Sequence, residues 1–285
     1  RVQNSIKEFF FPRHETIFTF VRKGKDVEIA NPPAFDCEQI VLGARPCDAA
    51  GLPILDPLFA WDYQDQFYQS RRAKSTVVSF ACKETDAHCF CYAVGGGPDN
   101  TDGADAVLFD LGNGKFEVRT ITEKGKALFA GKTTESKEQG AACAPPQAPF
   151  DLPKVIEWIG GNFNSDVWEK VALRCVGCGA CAYVCPTCHC FDIVDEGSYK
   201  KGGRVKNWDS CQMAMFTLHA SGHNPRGTQG KRQRQRLTHK FVVYPEKFGK
   251  ILCTGCGNCS RSCAASVGVR ATLEELDKVG VKKQN

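Results

Sequence analysis

CVGCGACAYVCP (175–186) and CTGCGNCSRSCA (253–264) repeat one CxxCxxCxxxC spacing, on Cys175, Cys178, Cys181 and Cys185 and again on Cys253, Cys256, Cys259 and Cys263. A loop that presents a thiolate at every third residue can wrap three corners of one iron–sulfur cubane. The interleaved Gly177, Gly179, Gly255 and Gly257 let the backbone pass close enough for its amides to donate to sulfur. CxxC pairs also bind zinc, but two regularly spaced thiolate quartets are more typical of 4Fe-4S clusters.

When such a run occurs twice, the fourth cysteine of each usually reaches the other cluster. Carried over, one cluster takes Cys175, Cys178, Cys181 and Cys263, and the other takes Cys253, Cys256, Cys259 and Cys185. Pro186 follows Cys185 as that pattern expects, whereas Ala264 stands where a second proline is usual. Seven more cysteines are candidates for additional metal, in the form of further iron–sulfur clusters. They are Cys47 in RPCD, Cys82, Cys89 and Cys91 in the N-terminal half, and Cys188, Cys190 and Cys211 after the first run. The alternative reading makes some of them small buried hydrophobes. Cys37 and Cys143 have no neighbour at ligand spacing and are expected to be ordinary residues.

Seventeen cysteines in a chain of 285 residues form an odd number, mostly in close pairs, which suits metal in a reducing cytosol better than a disulfide framework. A cytoplasmic location is therefore expected. Residues 1–20 show no basic stretch followed by an apolar run and a cleavage site, and no apolar stretch approaches the ~20 residues that span a bilayer. No direct membrane insertion is expected. The net charge of +5 is too mild to indicate a nucleic-acid partner. Residues 226–240 nevertheless hold Arg226, Lys231, Arg232, Arg234, Arg236 and Lys240 without an acid. The plainer expectation is a solvated, mobile loop; the alternative is a patch for an acidic redox partner or a neighbouring subunit.

The fold class expected is α+β: a mixed α/β domain over 1–145, then a mainly α-helical ferredoxin-like two-cluster domain over 150–285. Short β-rich runs at 17–21, 39–42, 76–80, 106–111 and 116–121 are separated by turn signals, and Asn113-Gly114 predicts a hairpin between the last two. A short helix is expected within 48–59, limited by Pro53 and Pro57, and a linker over 132–149. Beyond it, Val155, Ile156 and Ile159, then Val167, Trp168, Val171 and Ala172, recur at helical period, and 272–279 repeats the pattern after the last run.

Other candidates are weaker. His223 and Arg226 in GHNPR have no adjacent base or nucleophile, so no catalytic residue is assigned. His14, His88, His219 and His239 read as surface or structural residues, and His189 as a residue that orients or shields a cluster. Gly95–Gly97 reads as a turn, and no GxGxxG opens a helix after a strand, so a flavin or NAD site is not expected here.

With these pieces assembled, the chain resembles the 4Fe-4S dicluster proteins that include the iron-sulfur A subunit of anaerobic sulfite reductase and the β subunits of cytosolic nickel-iron hydrogenases, or sulfhydrogenases. The resemblance is carried by KEFFFP (7–12), GARPCDAAGLPILD (43–56), CFC (89–91), CPTCHCFDI (185–193), WDSCQ (208–212), and the stretch from ASGHNPR to RQRLTHKF (220–241). It implies an electron-transfer subunit in a hetero-oligomeric complex, between a flavoprotein subunit that oxidises NAD(P)H and a catalytic oxidoreductase subunit. It also implies that a segment precedes the KEFFFP-like piece. The rival expectation is a chain that is itself a catalytic reductase, with N-terminal cysteines and His223 lining a substrate site at an additional cluster. A zinc or nucleic-acid module on the basic stretch is the distant third.

Overall fold

The computed structural model describes residues 4–145 and 149–282. It opens with a short 3-10 turn, Ile6–Phe9, capped by the Ser5 hydroxyl, and a hairpin of β1 (His14–Lys23) and β2 (Asp26–Ala30). Next come β3 (Gln39–Ala44), two short helices α1 (Pro46–Ala49) and α2 (Leu52–Leu55), and α3 (Gln66–Lys74). The helix expected within 48–59 is thus two single turns, because Pro53 has no amide to continue a helical ladder. β4 (Ser75–Phe80) pairs parallel to β3, and β5 (Ala106–Gly112) parallel to β4. β6 (Lys115–Thr120) returns antiparallel, after Asn113 and Gly114 at φ of 52° and 75°. Two successive left-handed residues match the twist of the flanking strands, as the sequence predicts.

The core of this half packs Val41, Val77, Val107 and Phe109 against Phe10, Phe11, Leu52, Leu55, Phe59 and Tyr68. Fully burying each large side chain contributes about 1.5–3 kcal/mol. Helix α4 (Glu123–Phe129) starts on the Thr122 cap, and among the described residues no regular element follows until α5 (Leu152–Gly161), in keeping with the expected linker. Its residues 146–148 lie outside the described residues.

After α5 and α6 (Val167–Ala172) the first cysteine run leads into the single turn α7 (Ala180–Tyr183). A second hairpin then appears, β7 (Phe191–Gly197) and β8 (Lys201–Trp208), and β8 pairs with β1 to give the sheet order β2-β1-β8-β7. This sheet draws on both sides of the expected 145/150 boundary. Trp208 continues the connection, since it joins the N-terminal core and its indole donates to the Phe11 carbonyl at 3.0 Å.

Residues 226–240 overturn the plainer expectation. They are largely helix α8 (Gln229–Thr238), capped by the Thr228 hydroxyl and running through a π-turn, His239–Val243, into α9 (Tyr244–Phe248). Arg232, Arg236 and Lys240, one turn apart, form a buried stripe. The second run leads into α10 (Asn258–Arg261), then α11 (Val269–Lys282). Val155, Ile159, Trp158, Trp168, Leu237, Phe241, Leu273 and Leu276 make a second core that also touches Cys253 and Cys259. Among the described residues no helix is long and apolar enough to cross a membrane.

Candidate metal centre

The two cysteine runs fold alike. In each, the first two glycines take positive φ, Gly177 and Gly179 at 70° and 75°, Gly255 and Gly257 at 62° and 75°, and the second of them opens a one-turn helix, α7 or α10. A Cβ on Gly255 would lie 2.5 Å from the main chain of Phe90 and Cys91, and one on Gly257 2.6 Å from the His88 carbonyl. Loop 88–91 therefore lies directly on the second run, tied by a Phe90 amide bond to the Gly255 carbonyl at 2.9 Å. Arg261 fastens the same contact through Asp86 at 2.8 Å and the Asn258 amide oxygen at 2.9 Å. Arg45 donates to that Asn258 oxygen at 2.8 Å.

A small, narrow gap lies between the runs, and its wall includes four thiols, Cys185, Cys253, Cys256 and Cys259, with Arg236 and Lys240. These are the three leading cysteines of the second run and the last cysteine of the first. The donor set is all sulfur, ranged around a space. Among the described residues no three His, Cys, Asp or Glu side chains are placed to hold a single metal ion. A cubane takes one thiolate at each of four separated iron corners, so this arrangement fits a cluster. A bound cluster supplies one-electron chemistry; the chain supplies its ligands, counter-charge and insulation from water.

The counter-charge is explicit. Lys240 Nζ donates to the Leu252 carbonyl at 2.9 Å and to the Thr187 hydroxyl at 3.3 Å, and lies 3.5 Å from Cys185 Sγ. Burial works against its charge, but the thiolates of Cys185, Cys188 and Cys253 outweigh it and hold the ammonium above its ordinary pKa. Burial pushes the Cys253 thiol up to about 12, opposed by Lys240, and also raises Cys256. Cys185 is lowered, first by a hydrogen bond from Cys188 and then, against burial, by Lys240 and Lys7. Lys7, from the KEFFFP stretch, reaches the Cys188 carbonyl at 2.8 Å and lies 4.0 Å from the centre of the Trp208 ring.

The first run is more open. Cys178 is exposed, and Leu173 and Val176 are 85 % and 76 % exposed, whereas Cys253, Cys256 and Cys259 are all buried. Cys175 Sγ accepts from the Gln229 amide at 3.2 Å, and Cys263 Sγ from the Val267 amide at 3.2 Å. Burial pushes Cys181 up to about 11, against Arg236, with Cys259, Cys211 and Cys175 among its charged neighbours. Cys263 follows α10, which packs on the α7 turn that holds Cys181.

The remaining cysteines form two groups. Cys190 and Cys211 share a hydrogen bond, which lowers Cys211 to about 6 despite burial, and Cys188 adjoins Cys185. In the N-terminal half, Cys82 stands just after β4, at the carboxyl end of a parallel strand. Burial raises it to about 11, with Cys143, Cys91 and Cys89 close by. Cys47, three residues after β3, has Cys91 and Cys82 among its charged neighbours. Cys143 is the residue sequence reasoning passed over: its amide donates to the Cys82 carbonyl at 2.8 Å, a contact no sequence spacing announces. His189 is half-buried, its Nδ1 3.1 Å from the Thr187 carbonyl. His223 is exposed, its ring 5.3 Å from that of His219.

With this geometry in view, the comparisons agree on a family. The family described as "4Fe-4S dicluster domain" matches residues 174–267, which contain both runs. Over 284 residues the chain is 30 % identical to sulfhydrogenase 2 subunit beta of Pyrococcus furiosus, covering 95 % of this chain and 82 % of that protein. No solved structure matches at a significant level. The chain belongs to the 4Fe-4S dicluster family of iron–sulfur electron-transfer subunits that includes the sulfhydrogenase β subunits.

Proposed function

We propose that this subunit relays electrons, through two 4Fe-4S clusters, between a flavoprotein partner and a catalytic subunit of an oxidoreductase complex. In this reading Cys175, Cys178, Cys181 and Cys263 hold one cluster, and Cys253, Cys256, Cys259 and Cys185 hold the other. The observation that carries it is the cavity in which Cys185 joins the three leading thiols of the second run beside Lys240 and Arg236. The contrast between runs supports a relay, because the second is insulated while the first offers Cys178, Leu173 and Val176 to the surface where a partner can approach. The similarity to a sulfhydrogenase β subunit supports a hetero-oligomer. Cys47, Cys82, Cys89 and Cys91, with Cys188, Cys190 and Cys211, are retained as the places for additional metal.

Anaerobically prepared full chain is expected to carry at least about eight iron and about eight acid-labile sulfide atoms, the content of two cubanes. Zinc in place of iron, or no metal, refutes the relay. A second reading draws on a cavity of about 350 Å³ that reaches Cys253 and is also lined by Cys47, Cys91 and Lys250. It is the space a catalytic subunit would use for a small substrate. Sustained reduction of an added acceptor by the isolated chain, with reduced viologen as donor and no partner present, decides for that reading against the pure relay.

A further inference from the structure

Helix α8 and the turn after it send three basic side chains inward, and two of the three are satisfied within the protein. Arg232 donates to the Gln229 side-chain oxygen at 2.7 and 3.0 Å and to the Arg226 carbonyl at 2.8 Å. Lys240 has the Leu252 carbonyl, the Thr187 hydroxyl and Cys185. Arg236 lies between them, 3 % exposed, and its Nε and Nη2 are fully enclosed with no hydrogen-bond partner. An unsatisfied buried donor is costly, more so when charged, and a guanidinium does not shed its charge to escape that cost.

The surroundings of Arg236 say what the missing acceptor is. The charged groups that act on it most strongly are thiols: Cys181 from the first run, Cys259 from the second, and Cys188 and Cys211. It also lines the four-thiol cavity. A guanidinium differs from an ammonium in that its donors fan out in one plane, so a single Arg can serve acceptors on two sides. The position of this one, with a thiol of each run as its strongest charged neighbours, makes use of that geometry.

We propose that Arg236 donates hydrogen bonds to sulfur of both clusters and serves as a shared positive charge that sets their two reduction potentials together. The proposal rests on the reading that both runs hold clusters. Reduction adds one negative charge to a cluster, and a fixed cation beside it favours the reduced form. Loss of the charge and of the planar fork then lowers both potentials, whereas loss of the fork alone affects them unequally, because a lysine ammonium is a point charge.

The test is an EPR-monitored redox titration of the anaerobically prepared full chain, with iron and sulfide measured on the same samples, for the unaltered protein, Arg236→Gln and Arg236→Lys. For Arg236→Gln, both reduction equilibria are expected to fall about tenfold or more, which is 59 mV for a one-electron couple. Two unmoved potentials, or a displacement confined to one cluster, overturn the proposal. Should Arg236→Gln not retain iron, Arg236→Lys carries the decision: two potentials displaced unequally are expected, and an unaltered pair overturns it. Absence of iron from the unaltered chain is a different result, which refutes the two-cluster reading itself.

Discussion

Lys240→Met separates the charge of one buried cation from its packing. The ammonium lies 3.5 Å from Cys185 Sγ and is 2 % exposed, while the carbonyl of Leu252 keeps its bond from the Thr187 hydroxyl at 2.9 Å after the lysine is gone. Met fills similar volume and leaves no charge to be compensated, so the fold is expected to survive. The charge added on reduction spreads over a whole cluster, so the relevant separation is longer than the contact to sulfur. At about 7 Å and an effective dielectric of about 20, the lost attraction is roughly 2 kcal/mol. Since about 1.4 kcal/mol is a tenfold change, and tenfold is 59 mV for one electron, the potential of the second-run cluster is expected to fall by about 100 mV. EPR-monitored titration reads this shift, with Cys178→Ser used to identify the signal of the other, more exposed cluster. A shift below about 20 mV would mean that the site screens Lys240 far more than this dielectric allows, and so would falsify the role given to it. An equal displacement of both potentials would also contradict its placement, since the thiols that act most strongly on Lys240 are Cys185, Cys188 and Cys253.

Two further perturbations test the frame around the site. Burial lowers His189 to about 3, helped by the charge of His239, itself lowered to about 4 by burial. Both folded-state values lie below the ordinary ~6.5, so the unfolded chain takes up protons that the folded chain refuses. The stability these neutral rings allow is complete above about pH 6.5 and declines as pH falls towards 3. Denaturant midpoints are expected to drop between pH 7.5 and pH 5, less steeply in His189→Gln; equal slopes would exclude His189 as a source. Separately, Glu15 on β1 accepts from Arg71 and pairs with Lys206 on β8 at 2.7 Å, all three largely or wholly buried. Glu15→Gln leaves the Lys206 ammonium with Asp65 at 3.4 Å as its remaining carboxylate, and is expected to destabilise the chain by about 3–5 kcal/mol in chemical denaturation. A loss under about 1 kcal/mol would show that this ion pair does not hold the two hairpins together.

The cysteine runs were legible in the sequence because their information is local: thiolates at every third residue, with glycines that readily take the positive φ at 177, 179, 255 and 257. The strands β3 to β6 and the hairpin at Asn113-Gly114 were legible for a similar reason, since β-branched runs and a two-residue turn act over a few residues. The β7–β8 hairpin was not, because most of β7 is exposed and its charged, glycine-containing sequence shows no alternation to read; its place is decided by β1 alongside. Helix α8 was misread because burying Arg232, Arg236 and Lys240 is favourable only when distant segments bring acceptors and thiols to meet them. Cys143 acquires its neighbours only when its segment folds back along Cys82. The sequence by itself determined that this chain has eight thiols in cluster spacing and belongs with iron–sulfur proteins. Only the tertiary structure decided that Arg236 turns inward, with Cys181 of the first run and Cys259 of the second as its strongest charged neighbours, because burial and charge compensation depend on which segments meet, not on their order in the chain.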